Sequence, residues 1–197
     1  MYFINASIDK CCPCSVLFPI ILLKMHEMIT IIIGTNRKNS MSAKVAKLYR
    51  DIVASQVDTT KVPVHVVSLE GLNLLEPNDT LIKIEEEVLM PTRKFIFIIP
   101  EYNGSFPGIL KYFMDSTRIQ TCWWYKEALL VGLADGRAGN LRGTDHFTSI
   151  LNYLKINVHY NKLTLPHISK EIDQDGQFIN QSTNERAINQ VAEFLRN

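Results

Sequence analysis

The stretch Lys94–Asp115, KFIFIIPEYNGSFPGILKYFMD, sets three kinds of local order side by side. KFIFIIP is apolar over the length of one strand and has no polar face, so it reads as a strand buried on both sides. GILKYFMD has helical spacing. Between them lie a Tyr102-Asn103-Gly104 turn and a Pro107-Gly108 pair that suits a helix entry. A doubly buried strand that runs through a polar turn into a helix is the repeating unit of a helix-covered parallel sheet. The turn either only redirects the chain or holds something flat and polar at the sheet edge.

The same alternation extends in both directions. MITIIIG, from Met28, is a short β-branched strand ending in Gly, and Ser40–Val57 is an amphipathic helix with Val45, Leu48, Ile52 and Val53 inward and Ser40 as N-cap. Val62–Leu69 is the second strand and Asn78–Thr92 a helix with an acidic outer face. After the KFIFIIP strand and a helix over Gly108–Ile119 come a strand at Glu127–Ala134 and a helix over Leu141–Ile156. A last strand with its extension lies between NVHY and HISKEI, and Asn184–Arg196 closes the chain as a helix with Ala187, Val191 and Phe194 or Leu195 inward. Five apolar strands alternating with helices predict an α/β, flavodoxin-like three-layer sandwich with a five-stranded parallel sheet of order 2-1-3-4-5. A six-stranded Rossmann order is the second choice.

The chain has 197 residues, 46% hydrophobic, and a net charge of +1. One core of this size favours a single domain over residues 28–197. The near-neutral balance excludes a field suited to a nucleic-acid backbone. Cys11, Cys12 and Cys14 cluster while Cys122 stands alone, which is not a secreted disulfide pattern and fits a reducing, cytoplasmic setting. No Cys or His set nearby completes a tetrahedral metal site. Residues 1–27 form an N-terminal extension of uncertain role. VLFPIILL (Val16–Leu23) is too short to span a membrane and lacks signal-peptide flanks. A targeting segment, an extra strand or dimer arm, and an extension from an upstream start ahead of Met25 or Met28 remain as readings.

Three polar, Gly-containing loops fall after strands one, three and four, and in a parallel sheet these meet at one edge. GTNRKNSMS (Gly34–Ser42) offers Thr35, Arg37, Ser40 and Ser42 just before a helix, where free amides favour an anion. It is neither a P-loop nor a GxGxxG motif, so one phosphate is the simpler guess; a capped surface loop is the plain alternative. In the second loop Tyr102 either lies against a planar ring or packs, and Glu101 is solvated, paired or in contact with ligand. Asn103 and Gly104 turn the backbone, with Gly allowing close approach. In ADGRAGNLRG (Ala134–Gly143), Gly136, Gly139 and Gly143 with Arg137 and Asn140 make a wide rim around a turn. Together the loops suit a planar heteroaromatic with one phosphate, and FMN fits.

These residues also resemble the NADPH-dependent FMN reductase family, flavodoxin-like proteins that include quinone, azo-dye and chromate reductases. The matching elements are GTNRKNS, PEYNGSFPGILKYFMD and GLADGRAGN, within a similarity from about Ile29 to the C-terminus. The resemblance implies that Thr35, Arg37, Ser40 and Ser42 hold the FMN phosphate and that Pro100, Glu101, Tyr102, Asn103 and Gly104 line the flavin. Gly132, Ala134, Asp135, Asn140 and Ser42 depart from the family's usual residues, which removes side-chain hydroxyl contacts while leaving backbone contacts open. It further implies a homodimer or homotetramer with the flavin near a subunit boundary, and no match for residues 1–27.

With FMN bound, NADPH or NADH passes hydride to the flavin, and a quinone, azo compound or free flavin takes it up in a ping-pong scheme that requires no catalytic side chain. Gly136 and Arg137 are outer candidates, Arg137 for the nicotinamide nucleotide's phosphates. Lys111 reads as helix support or an acid's partner, with substrate contact as the alternative. TCWWYKE (Thr121–Glu127) supplies a pocket roof, a subunit interface or core. Neither Cys122 nor His26, His65, His146, His159 and His167 show catalytic or ligand spacing. Two other readings are a flavodoxin-type FMN electron carrier and a non-enzymatic binding protein for a phosphorylated ligand. No nucleic-acid or membrane partner is expected.

Overall fold

The computed structural model describes residues 28–76 and 78–196; the N-terminal extension, with its three cysteines and His26, lies outside the described residues. The first strand, β1 (Met28–Ile33), pairs in parallel with β2 (Val64–Ser68) on one side and with β3 (Thr92–Pro100) on the other. β3 in turn pairs with β4 (Glu127–Leu133). The order is β2-β1-β3-β4-β5, all parallel.

Side-chain alternation explains why both faces need cover. Ile96 and Ile98 of β3 enter one core cluster with Ile29, Ile31 and Ile33, under α1 (Met41–Gln56) and α7 (Gln181–Arg196). Phe95, Phe97 and Ile99 enter the other, beneath α3 (Gly108–Asp115) and α5 (Leu141–Tyr153). A period of two with apolar residues on both phases leaves no solvent face, which is the condition for a central parallel strand.

Three expectations shift. The fifth strand is split into β5 (Asn157–Val158) and β6 (Leu163–Leu165), both paired with β4. The excursion between them leaves the Leu130 carbonyl without a strand partner. The buried Gln190 of α7 donates to it at 3.1 Å and to the Asn161 carbonyl at 2.8 Å, while accepting from the Tyr49 hydroxyl at 2.7 Å. Buried carbonyls left unpaired are costly, so one glutamine replaces the missing ladder bond.

The helix expected to reach Thr92 is α2 (Asp79–Ile84), which continues as a π-helical turn over Glu85–Leu89; Thr92 already belongs to β3. Asn78 caps it, accepting from the Leu81 amide at 3.0 Å. The helix expected over Gly108–Ile119 stops at Asp115, and a separate turn, α4 (Ile119–Cys122), follows. The buried Glu85 carboxylate accepts from the Arg118 amide between them and from the Arg118 side chain at 3.2 Å, which fixes the break.

The TCWWYKE run divides between core and surface. Trp123 is fully buried, its ring tilted against Phe95 at 5.0 Å, with its indole N–H donating to Thr117 at 2.8 Å. Tyr125 is exposed, and Lys155 lies 3.6 Å above the Trp124 ring. Among the described residues no helix is long and apolar enough to cross a membrane.

Candidate functional site

The carboxyl ends of β1, β3 and β4 open on a cleft of about 250 Å³. Loop one leaves β1 through Gly34, whose amide donates to the Ile98 carbonyl at 2.9 Å. A Cβ there would sit 2.9 Å from that carbonyl oxygen, so only glycine permits the crossing. Thr35 follows, buried, then Arg37 and Lys38, both exposed. Ser40 caps α1 by accepting from the Ala43 amide at 3.2 Å, and Ser42 is buried in its first turn. The Met41 and Ser42 amides donate to no acceptor among the described residues, and both residues line the cleft. Two unbonded amides, three hydroxyls and two cations form a donor set for an anion.

Loop two is a tight hairpin. Tyr102 and Ser105 exchange backbone hydrogen bonds of 2.8 and 3.1 Å, with Asn103 at φ 52° and Gly104 at φ 77°. Positive φ at both central positions is a type I′ turn, which the Asn-Gly pair adopts at least cost. The outward amides of Asn103 and Gly104 donate to no acceptor among the described residues. The Tyr102 ring lines the cleft and is engaged by loop one. Its hydroxyl meets the Thr35 hydroxyl at 2.6 Å, and the Arg37 guanidinium lies 4.3 Å from the ring centroid. Tyr102 thus ties the second loop to the first.

Loop three is fastened on its far side. The Ala134 amide donates to the Leu165 carbonyl, and the Ile168 amide to the Ala134 carbonyl, each at 3.2 Å. Asp135 accepts from the Ser169 amide at 3.0 Å, and this hydrogen bonding holds its carboxyl below the usual carboxylate range. Its charge is therefore fixed at neutral pH and already engaged.

Of the site residues expected from sequence, Thr35, Arg37, Ser40, Ser42, Pro100, Glu101 and Tyr102 line the cleft together. Asn103, Gly104, Gly136 and Arg137 do not line it; Asn103, Gly136 and Arg137 are exposed at the outer rim. Lys38, Met41, Leu133 and Ile168 line it without having been singled out. Lys38 was legible as a second cation at a helix start. Ile168 was not, because it enters with the short helix α6 (Ile168–Glu171) that follows β6. The Cys122 thiol is buried, which pushes it up to about 11, and it lies apart from the cleft against Glu85 at 3.7 Å.

The family model of NADPH-dependent FMN reductases matches residues 28–169. The chain is 22% identical over 163 residues to a 2-hydroxy-1,4-benzoquinone reductase of a Burkholderia species, covering 81% of this chain and 89% of that protein. It is 27% identical over 147 residues to the NAD(P)H-dependent FMN reductase LOT6 of Saccharomyces cerevisiae, covering 65% and 75%. Among solved structures, the flavoenzyme NAD(P)H:(acceptor) oxidoreductase FerB of Paracoccus denitrificans superposes with a TM-score of 0.74 at 17% identity, over 86% of this chain and 96% of that one.

Proposed function

The chain belongs to the NADPH-dependent FMN reductase family of flavin-dependent oxidoreductases, and from that premise we propose that its cleft holds FMN and serves a quinone-class acceptor. The observation that carries the site assignment is the convergence of Thr35, Arg37, Lys38, Ser40 and Ser42 with the free first-turn amides of α1 on one cleft. That donor chemistry fits a single phosphate at one end. The apolar and backbone-rich end, Pro100, Leu133 and Ala134, fits a planar ring.

When bound, FMN supplies the hydride chemistry between NAD(P)H and the acceptor. The residues of this chain bind and orient. Arg37 and Lys38 neutralise the phosphate, and Ser40 and Ser42 orient it. Beside the cleft, the outward amides of Asn103 and Gly104 would be free to donate to a bound ring, and Gly136 and Arg137 would meet the second reactant from outside. No side chain is required to act as acid or base. The quinone class is supported by the name of the Burkholderia relative, which matches over most of both chains.

A homodimer belongs to the same reading. Leu75 and Tyr153 are 82% and 85% exposed, and with Ile82, Tyr112 and Ile119 they mark an apolar face over α2 to α5. Grooves of about 470 Å³ beside Leu72–Leu75 and about 270 Å³ between α3 and α5 cut that face. An exposed apolar face cut by grooves suits a second copy of the chain.

The test of acceptor class is the oxidative half-reaction. FMN-loaded protein, reduced anaerobically, is mixed with a benzoquinone, an azo dye, free FMN and the one-electron acceptor ferricyanide in turn. Rapid two-electron reoxidation by the quinone supports the proposal. Reoxidation only by one-electron acceptors would show an electron carrier instead.

A further inference from the structure

Asn140 stands at the junction of loop three and α5, in the left-handed region at φ 69°, and is fully buried. Its Nδ2 donates to the Ile99 carbonyl at 2.9 Å, immediately before the Pro100–Gly104 wall. Its Oδ1 is buried with no hydrogen-bond partner. A buried orphan acceptor and a left-handed non-glycine residue both carry a cost, and such features persist where the surroundings use them. The surroundings are built to fit this side chain. A Cβ on Gly143 would fall 2.0 Å from Asn140 Oδ1 and 2.8 Å from the Ser105 carbonyl carbon. One turn further along α5, His146 Nδ1 meets the Ser105 hydroxyl at 3.0 Å, and the Arg142 guanidinium carbon lies 3.7 Å from where a Gly104 side chain would begin.

We propose that Asn140 is a positioning residue that, with the Ser105–His146 pair, seats the first turn of α5 against loop two and so fixes the Asn103 and Gly104 amides that face the flavin ring. The tie explains why the loop carries an asparagine at a left-handed position where glycine is strain-free. Glycine supplies the backbone but not the bond to Ile99. The assignment rests on the reading of loop two as a flavin wall.

The test separates the two claims. In the FMN-free protein, amide hydrogen exchange is measured over residues 100–106 in the wild type, Asn140→Gly and Ser105→Ala. Exchange in that segment is expected to accelerate about fivefold or more in Asn140→Gly and about two- to threefold in Ser105→Ala, with the strands unchanged. Dissociation constants for FMN and for riboflavin, which lacks the phosphate, are expected to rise by the same factor in Asn140→Gly. Unchanged exchange over 100–106 in both variants would overturn the proposal. So would a loss of the folded state in Asn140→Gly with no change in Ser105→Ala, and so would a loss of affinity confined to FMN. A wild type that binds neither flavin would sink the proposed function while the exchange measurement still decides the tie.

Discussion

Arg37 is the residue on which the phosphate assignment turns. Its guanidinium forms no ion pair among the described residues and rests on the Tyr102 ring at the cleft mouth. Arg37→Ala should raise the FMN dissociation constant about ten- to hundredfold, the range of a charge-assisted hydrogen bond, and leave riboflavin binding unchanged. Fluorescence titration of both flavins reads this directly, and equal FMN affinity would refute the role. His159 makes a different kind of prediction. Burial holds its imidazole below the ordinary 6.5, in edge contact with Phe194 at 5.6 Å. Its neutral form suits the fold, so its contribution is whole above pH 6.5. Below 6.5 the unfolded chain takes up the proton first, and stability falls as pH drops toward the lowered value. Urea midpoints should decline from pH 7.5 to 5.5, and His159→Gln should flatten that slope. Residue types were legible here because loop position restricts them. Side-chain direction was not. In sequence Tyr102 reads as a ring platform or as packing, and the hydroxyl contact that turns it toward Thr35 joins residues 67 apart.

At the scale of elements, the glycines of loop three show where sequence reading stops. Their density suggests an open rim, yet Gly139 is demanded by backbone packing, as is Gly132 of β4 beneath it. A Cβ on Gly132 would lie 2.6 Å from the Gly139 carbonyl oxygen, and one on Gly139 would lie 2.8 Å from the Leu165 amide nitrogen. Gly136 has nothing within 4 Å. Gly132→Ala should therefore cost about 3 kcal/mol, and Gly136→Ala less than about 0.5 kcal/mol, in thermal or urea unfolding. The end of the π-helical turn gives a second case. The buried Lys126 ammonium donates to the carbonyls of Leu89, Met90 and Thr92 at 3.0, 2.7 and 2.6 Å. Lys126→Met keeps the volume and strands three carbonyls, and should cost about 2–3 kcal/mol in the same measurement. Periodicity placed the strands and helices well, since apolar spacing is local. The split of β5 from β6 and the stop of the π-helical turn ahead of β3 depend on Gln190 and Lys126, partners far along the chain.

For the whole molecule, strand order followed from the alternation of strand and helix, and the order locates the cleft at the carboxyl edge where three loops meet. The apolar face over α2 to α5 was only partly legible, because exposure of Leu75 and Tyr153 cannot be told from burial by residue type. Sedimentation at micromolar concentration should give a dimer, and Tyr153→Asp should shift it toward monomer without loss of flavin. The central claim is that this chain binds FMN in the cleft and that NAD(P)H reduces it there. The most direct measurement is the visible spectrum of FMN-loaded protein under anaerobic addition of NADPH and of NADH. Stoichiometric bleaching of the flavin band by at least one of them is expected. A protein that takes up no FMN, or whose bound flavin neither coenzyme bleaches, would contradict it.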